Sequence, residues 1–319
     1  MAATDEISER LQKATIASHP LLCRLNEIGN IKSFEGGRTI IQEIAFPVLV
    51  EPNQFPPFTW YGGYEVLKPG QWKPANNLHQ AFQNHEVSGV FTAAEYPIQQ
   101  AAVAFHEDKQ EIDPVAEAAK MTAQAISSGG GRNSINSLPD LVSITPTIGM
   151  VGGIDRKQHR FWRNLSISYR SGQKLSDVMG LMIEKLSIVE YVGSTKLERP
   201  DLILMGKDDF NDFKKSLPDG MLKSKYSDWG FESLDFGETA VVLDPSLQSI
   251  IENHSVIPSR IYFLHTKYFR WRFYAGRNWK KIDQDRFFAE ATRPMPDIYA
   301  WAGNLTMSCS YVHGVLHRY

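Results

Sequence analysis

The stretch Tyr299–Tyr319 reads YAWAGNLTMSCSYVHGVLHRY. Within it Leu305, Met307, Cys309 and Tyr311 alternate with Thr306, Ser308 and Ser310. A period of two predicts a strand with one buried face. Chain ends are commonly polar and frayed, so a last segment that reads as core calls for an explanation from the rest of the chain.

The 319 residues suffice for one large domain or two ordinary ones with a substantial core. Hydrophobic residues make up 42% and charged residues 22%, a globular balance. A formal net charge of −2 does not ask for nucleic acid or an anionic membrane as the main ligand. Cys23 and Cys309 are the only cysteines, too few for a thiolate zinc site and in keeping with reduced thiols. No apolar run approaches the ~20 residues of a spanning helix. The opening MAATDEISERLQKA has acids and lacks the apolar centre of a signal peptide. The N-x-S/T triplets at Asn164, Asn253 and Asn304 then read as chance matches, and no internal repeat is visible.

Upstream, Thr4–Asn30 reads as a helix with a weak stripe of Ile7, Leu11, Ala14 and Ile16, stopped at Gly29. The following segment is extended and broken by Pro52, Pro56, Pro57, Pro69 and Pro74. With Val87–Phe105 it predicts a long two-stranded hairpin whose tip lies near Gln71–Glu86. Such a hairpin has little core of its own and expects a partner surface. Trp60, Tyr61, Tyr64 and Trp72 suit a neighbouring subunit, or a fold back onto their own. Asp113-Pro114 opens a helix ended by Gly129–Gly131. Ser176–Val192 is a helix with its stripe at Val178, Leu181, Met182, Leu186 and Val189. Asp201–Gly206 is a buried strand, followed by a short helix capped by Asp208 or Asp209. Thr239–Pro245 and Arg260–Tyr274 are strands. The mixed order predicts an α+β fold.

Chemistry is sparse. SSGGGRNS (Ser127–Ser134) follows a helix, the reverse of a phosphate-binding loop, and lacks GK[ST]. GMVGGIDR (Gly149–Arg156) reads as a turn. His79, His85 and Glu86, or His106, Glu107 and Asp108, could surround a metal, without the spacing of a helical zinc pair. No nucleophile elbow is present, and Cys309 reads as a buried apolar group. Asp208/Asp209 and Asp283/Asp285 read as caps or turns. The densest cluster, YFRWRFYAGRNWKK (Tyr268–Lys281), interleaves Arg270, Arg272, Arg277, Lys280 and Lys281 with aromatics. It suits a single-strand nucleic-acid platform, or a strand whose arginines pair with neighbouring acids. The near-neutral charge favours the second. No residue is assigned to catalysis, a cofactor or a metal.

The ordered blocks WYGGYEVL, VFTAAEYPIQQAAVAF, PTIGMVGGIDRKQHRFWRN, ETAVVLDP, RIYFLHTKYFRWRFYAGRNW and WAGNLTMSCSYVHGVL resemble the major capsid proteins of tailed bacteriophages. GGID-x5-FWRN (Gly152–Asn164) and the closing WAGNLT…GVL (Trp301–Leu316) are the most distinctive. The resemblance implies the Hong Kong phage type of capsid fold, shared with encapsulin shells and herpesviruses. It implies an N-terminal arm at 1–37 and an extended β-hairpin loop with entry strands at 38–105. A peripheral domain with a spine helix and closing strand would take 106–131 and 291–319, and a mainly axial domain 132–290. The closing segment would then finish the peripheral sheet. Two departures stand out: extra sequence near Lys68–Ser88 and a short spine helix, Asp113–Ser128.

The resemblance further implies a shell subunit, not an enzyme, that assembles as hexamers and pentamers into an icosahedral virion head around double-stranded DNA. Assembly would occur in the bacterial host cytoplasm, touching DNA non-specifically and no membrane, with possible scaffolding, portal and decoration proteins. An encapsulin-type nanocompartment is the alternative, and a soluble metal-dependent enzyme the distant one.

Overall fold

The structure is a computed structural model that describes residues 2–37, 39–44, 93–105, 113–129, 134–170, 172–189, 197–217, 229–247, 251–252, 255–256, 259–282 and 297–318. Its main strands are β1 (Ile31–Phe34), β2 (Thr39–Glu43), β3 (Ala93–Pro97), β4 (Gln99–Phe105), β5 (Leu165–Tyr169), β6 (Leu202–Met205), β7 (Ser233–Phe236), β8 (Thr239–Leu243), β9 (Arg260–Leu264), β10 (Phe269–Lys281), β11 (Asp297–Met307) and β12 (Gly314–Arg318). Among the described residues the helices of two turns or more are α1 (Ala2–Ala17), α2 (Pro20–Glu27), α3 (Pro114–Ser127), α4 (Leu175–Leu186) and α5 (Lys207–Ser216). The architecture is α+β. One mixed sheet has the order β1-β10-β11-β4, a second β7-β8-β6-β9-β12-β5, and β2 pairs with β3 in a separate antiparallel ribbon.

The six-stranded sheet separates two cores. Leu202, Leu204, Tyr262, Leu264, Ala240, Val242 and Val315 face the larger one, which continues through α2 and the four-stranded sheet. Ile203, Met205, Ile261, Phe263, Val241 and Leu316 face the smaller, closed by α4 and α5. Alternation along each strand distributes the side chains, yet both sets are buried. Hence LILM and RIYFL read as near-continuous apolar runs. Full burial stabilises by ~2 kcal/mol per large aliphatic or aromatic side chain, so these central strands are held from both faces.

Several sequence expectations change. The helix over Thr4–Asn30 is two helices, because Pro20 cannot continue one; it opens α2, with His19 as its cap. Gly29 does end the pair, at φ +70°. The piece Val87–Phe105, where described, is two strands, β3 in the ribbon and β4 beside β11. Arg260–Tyr274 is likewise two strands in different sheets, parted by a 3-10 turn at Thr266–Tyr268. On α4 the buried stripe is Leu175, Met179, Met182 and Leu186, while Leu181 is exposed. Gly206, not an aspartate, caps α5, because Asp209 is buried accepting from Tyr169 Oη (2.8 Å) and Ser259 Oγ. Asp113 caps α3 as expected, accepting from Val115 N–H at 3.0 Å.

The closing segment is not one strand with one buried face. Asp297–Met307 lies in the four-stranded sheet and Gly314–Arg318 in the six-stranded sheet, and the serines and threonine between the apolar residues are buried too. Cys309 sits in the turn between them, and burial pushes its thiol up. In β11, Gly303 is required by close approach: an added Cβ would lie 2.1 Å from Arg272 O and 2.7 Å from the Trp301 ring. The expected outcome for Gly303→Ala is a loss of about 3 kcal/mol in urea unfolding, the cost of overpacking a rigid backbone contact. An unchanged midpoint would disprove that contact.

Candidate functional site: the ribbon root and the junction of the two sheets

The β2–β3 ribbon is held by the blocks that stand out in the sequence. Its inward residues Ile40, Gln42, Ala94 and Tyr96 are buried; the outward residues Thr39, Ile41, Glu43, Glu95 and Pro97 are exposed. Tyr96 Oη donates to Met307 O at 2.8 Å, and Thr306 Oγ1 donates to Gln42 Oε1 at 3.2 Å. Asn304 of WAGNLT donates through Nδ2 to Pro97 O (2.8 Å) and accepts at Oδ1 from Asn136 N–H (2.7 Å). These polar groups are buried and matched, which makes the attachment specific in register.

The GGID-x5-FWRN block buttresses the same root. Gly152 and Gly153, at φ +57° and +76°, turn a tight two-stranded hairpin of Met150–Val151 with Ile154–Asp155. Gly152 O accepts from Glu95 N–H at 2.9 Å, and a Cβ at Gly152 would lie 2.6 Å from that of Ala94. Arg156 is buried and donates to the carbonyls of Trp162, Asp140 and Leu141. Trp162 Nε1 returns a hydrogen bond to Val151 O at 2.9 Å. Asn164 clamps both backbone groups of Ser143 at 2.9 Å. Two of the three N-x-S/T asparagines are thus buried structural amides.

Two strand connections cross side by side between the sheets, Thr266–Tyr268 and 308–313. Ser308 N–H donates to Tyr268 O at 2.9 Å. Asp201 receives Thr266 N–H (2.7 Å), Thr266 Oγ1 (2.5 Å) and Arg24 Nε (3.0 Å), tying α2 to the crossing. His313 Nδ1 accepts from His265 N–H at 3.2 Å, so its proton sits on Nε2, which is buried and finds no hydrogen-bond partner among the described residues. His265 Nε2 donates to Leu186 O at 3.2 Å. The Phe269 ring lies 4.5 Å from His313.

A serine, a histidine and an aspartate also meet, all buried: Ser127, His19 and Asp244. The hydrogen-bond roles are not those of a nucleophile triad. His19 Nδ1 accepts from Leu21 N–H, capping α2, so Nε2 carries the proton and faces Asp244 Oδ2 at 2.9 Å. Ser127 Oγ donates to the same carboxylate at 2.8 Å, leaving no base to activate it. Burial opposes ionisation of Asp244. The His19 ring and the Ser246 and Ser127 hydroxyls outweigh it and hold the carboxyl at about 2. The cluster joins α2, α3 and the end of β8.

The remaining sequence candidates divide. His79, His85, Glu86, His106, Glu107, Asp108, Asp283 and Asp285 lie outside the described residues, as do Trp60, Tyr61, Tyr64 and Trp72. Among the described residues no group of three His, Cys, Asp or Glu is placed to hold a metal ion, and no helix is long and apolar enough to cross a membrane. The cluster at Tyr268–Lys281 is, from Phe269 on, a strand with Phe269, Trp271 and Trp279 buried. Among the described residues its arginines do not pair with acids. Arg270 and Arg272 face Thr306 and Asn304 on β11 and, for Arg272, Lys32 on β1, none of which carries a carboxylate. The junction histidines and the Asp244 cluster escaped the sequence reading because their members lie far apart in the chain and share no motif spacing.

Two outcomes are expected. Burial lowers His265 from 6.5 to about 4 and His313 well below its ordinary value, although Asp201 and Glu198 pull His265 upward. The unfolded chain therefore binds more protons below pH 6.5, and stability falls as pH drops from 6.5 towards 4, by about 3 kcal/mol from His265 alone. Calorimetry near pH 5 should show about one proton fewer taken up on unfolding in His313→Phe than in the parent; equal uptake would refute the burial of a neutral imidazole. Asp244, lowered from 3.8 to about 2, contributes fully above pH 4 and is lost towards pH 2. Asp244→Ala should cost about 3 kcal/mol at pH 7, since it strands buried donors, and a cost under 1 kcal/mol would contradict the network.

No family model matches the chain, and no curated protein matches it by sequence. Its fold is similar to that of several solved structures. The capsid of the empty GTA particle is 11% identical, with a TM-score of 0.49 over 92% of this chain and 89% of that chain. The cyanophage A-1(L) capsid is 11% identical, with 0.46 over 90% and 89%. The holo-SrpI encapsulin complex of Synechococcus elongatus is 9% identical, with 0.39 over 72% and 76%.

Proposed function

We propose that the chain is a shell subunit, the major capsid protein of a tailed bacteriophage, which assembles into an icosahedral head around double-stranded DNA. The observation that carries this reading is the ribbon. Residues 44–92 lie in the chain between β2 and β3, and the root from which they issue is clamped by Gln42, Tyr96, Asn304, Thr306 and the Gly152 turn. A rigid root under a long insertion is what a subunit needs to present a loop to its neighbour at a fixed angle. In this reading the four-stranded sheet with α3 is the peripheral domain, which takes β10 from the 132–290 span, and the six-stranded sheet with α4 and α5 is the axial domain, which takes β12 from the closing segment.

In this reading the function is geometric and no reaction is performed. Heterologous contacts close into pentamers and hexamers, and many weak contacts add through multivalency. The paired strand crossings stiffen the angle between the two sheets, which sets the curvature of the shell. DNA is touched without sequence preference; scaffolding, portal and decoration proteins are further partners to be sought.

Negative-stain microscopy of the expressed chain tests the proposal. Closed particles of uniform diameter are expected, and a chain that stays monomeric at high concentration in every buffer would overturn it. Particles that enclose a tagged enzyme in place of DNA would point to a nanocompartment. Deleting Pro69–Glu86 should leave the far-ultraviolet circular dichroism unchanged while particle yield collapses; normal particles would show that segment to be dispensable.

A further inference from the structure

We propose that the cationic face of β10 docks carboxylates of a second copy of this chain, and that the outward side of the β2–β3 ribbon supplies them. The proposal rests on the shell reading and names one of its contacts.

Lys32, Arg270 and Arg272 share one face of the four-stranded sheet, since Arg272 is the register partner of Lys32 and Arg270 lies two residues earlier. No carboxylate pairs with any of the three among the described residues. Arg272 Nε is buried and has no hydrogen-bond partner among the described residues. Burial, and then the charge of Arg270, lower the pKa of the Arg272 guanidinium. A cation partly withdrawn from water beside a like charge is unfavourable until an anion arrives, and a carboxylate can meet a guanidinium with two parallel hydrogen bonds. Phe34 and Tyr274, with ring centroids 5.8 Å apart, add an apolar strip on the same face.

The complement is on the same molecule. Ile41 is 63% exposed and stands opposite Glu95, itself exposed, in the ribbon register. Glu95 has no cation partner among the described residues. Gln42 and Tyr96 turn inward, onto β11. Alternation therefore aims Ile41 and Glu95 away from their own sheet, towards another molecule. An apolar side chain beside a carboxylate matches an apolar strip beside cations. Three cations are few for nucleic acid, which is gripped by longer rows of phosphate contacts.

The test follows assembly of the full chain by light scattering against concentration and salt. Lys32→Glu, at an exposed strand position, and Arg272→Glu should each raise the threshold concentration about tenfold or more, and salt should weaken the parent's assembly. Arg272→Glu combined with Glu95→Arg should regain most of the loss. Circular dichroism confirms that each variant folds; Lys32→Glu carries the test if Arg272→Glu does not. Variants that assemble like the parent would overturn the contact while leaving the shell reading intact. A double variant no better than Arg272→Glu would overturn the ribbon as partner, and a fall in co-purified nucleic acid with unchanged assembly would reassign the face to phosphate. A parent that never assembles removes the shell reading and this contact together.

Discussion

One connection leads from the six-stranded sheet into the four-stranded one and another returns beside it, and the rest of the molecule hangs on how that double crossing is held. Its backbone cannot pair as a regular ladder where the chain changes sheets, so side chains must take over. Asp201 secures Thr266, His313 receives His265 N–H, and Ser308 bonds Tyr268 O. Thr266, His265, His313, Ser308 and Tyr268 are buried and Asp201 is half-buried, so these pairs have little water to fall back on, which makes the arrangement both costly to break and unique in register.

The same logic recurs at the other joints. Asp244, His19 and Ser127 close the corner between α2, α3 and β8; Asn304, Tyr96 and Gln42 close the root of the ribbon; Arg156 and Asn164 close the turn beneath it. The apolar cores supply most of the stabilisation, yet hydrophobic contact is non-directional. Polar joints fix the angles. A subunit that must tile needs angles more than it needs an additional increment of stability, and this division suits the proposed role.

Much of the secondary structure was legible. The helix opened by Asp113-Pro114 follows from a cap and a proline at its first position, and the turn at Gly152–Gly153 from two adjacent glycines. Errors arose where one local pattern served two tertiary roles. RIYFLHTKYFRWRFY carries strand-forming residues throughout, so nothing local marks the turn at Thr266–Tyr268. Composition suggested that the arginines of β10 would find acids, but pairing depends on which strands lie alongside, and those strands offer Lys32, Asn304 and Thr306. The joints were invisible for a related reason. His19 and Asp244, or Gln42 and Thr306, are separated by more than two hundred residues, and one sequence contains no record of their meeting.

By itself, then, the sequence determined the α+β class, both ends of α3, the turn at Gly152–Gly153, the buried strands β6 and β8 and the burial of the final segment, because period, caps and breakers act over a few residues. Only the tertiary structure decided that the final segment is two strands in two sheets, that its polar residues are as buried as its apolar ones, and that the Ser–His–Asp cluster is a corner brace. Those outcomes depend on which distant elements pack together, and local free energies of a few tenths to a kcal/mol per residue do not choose between such pairings.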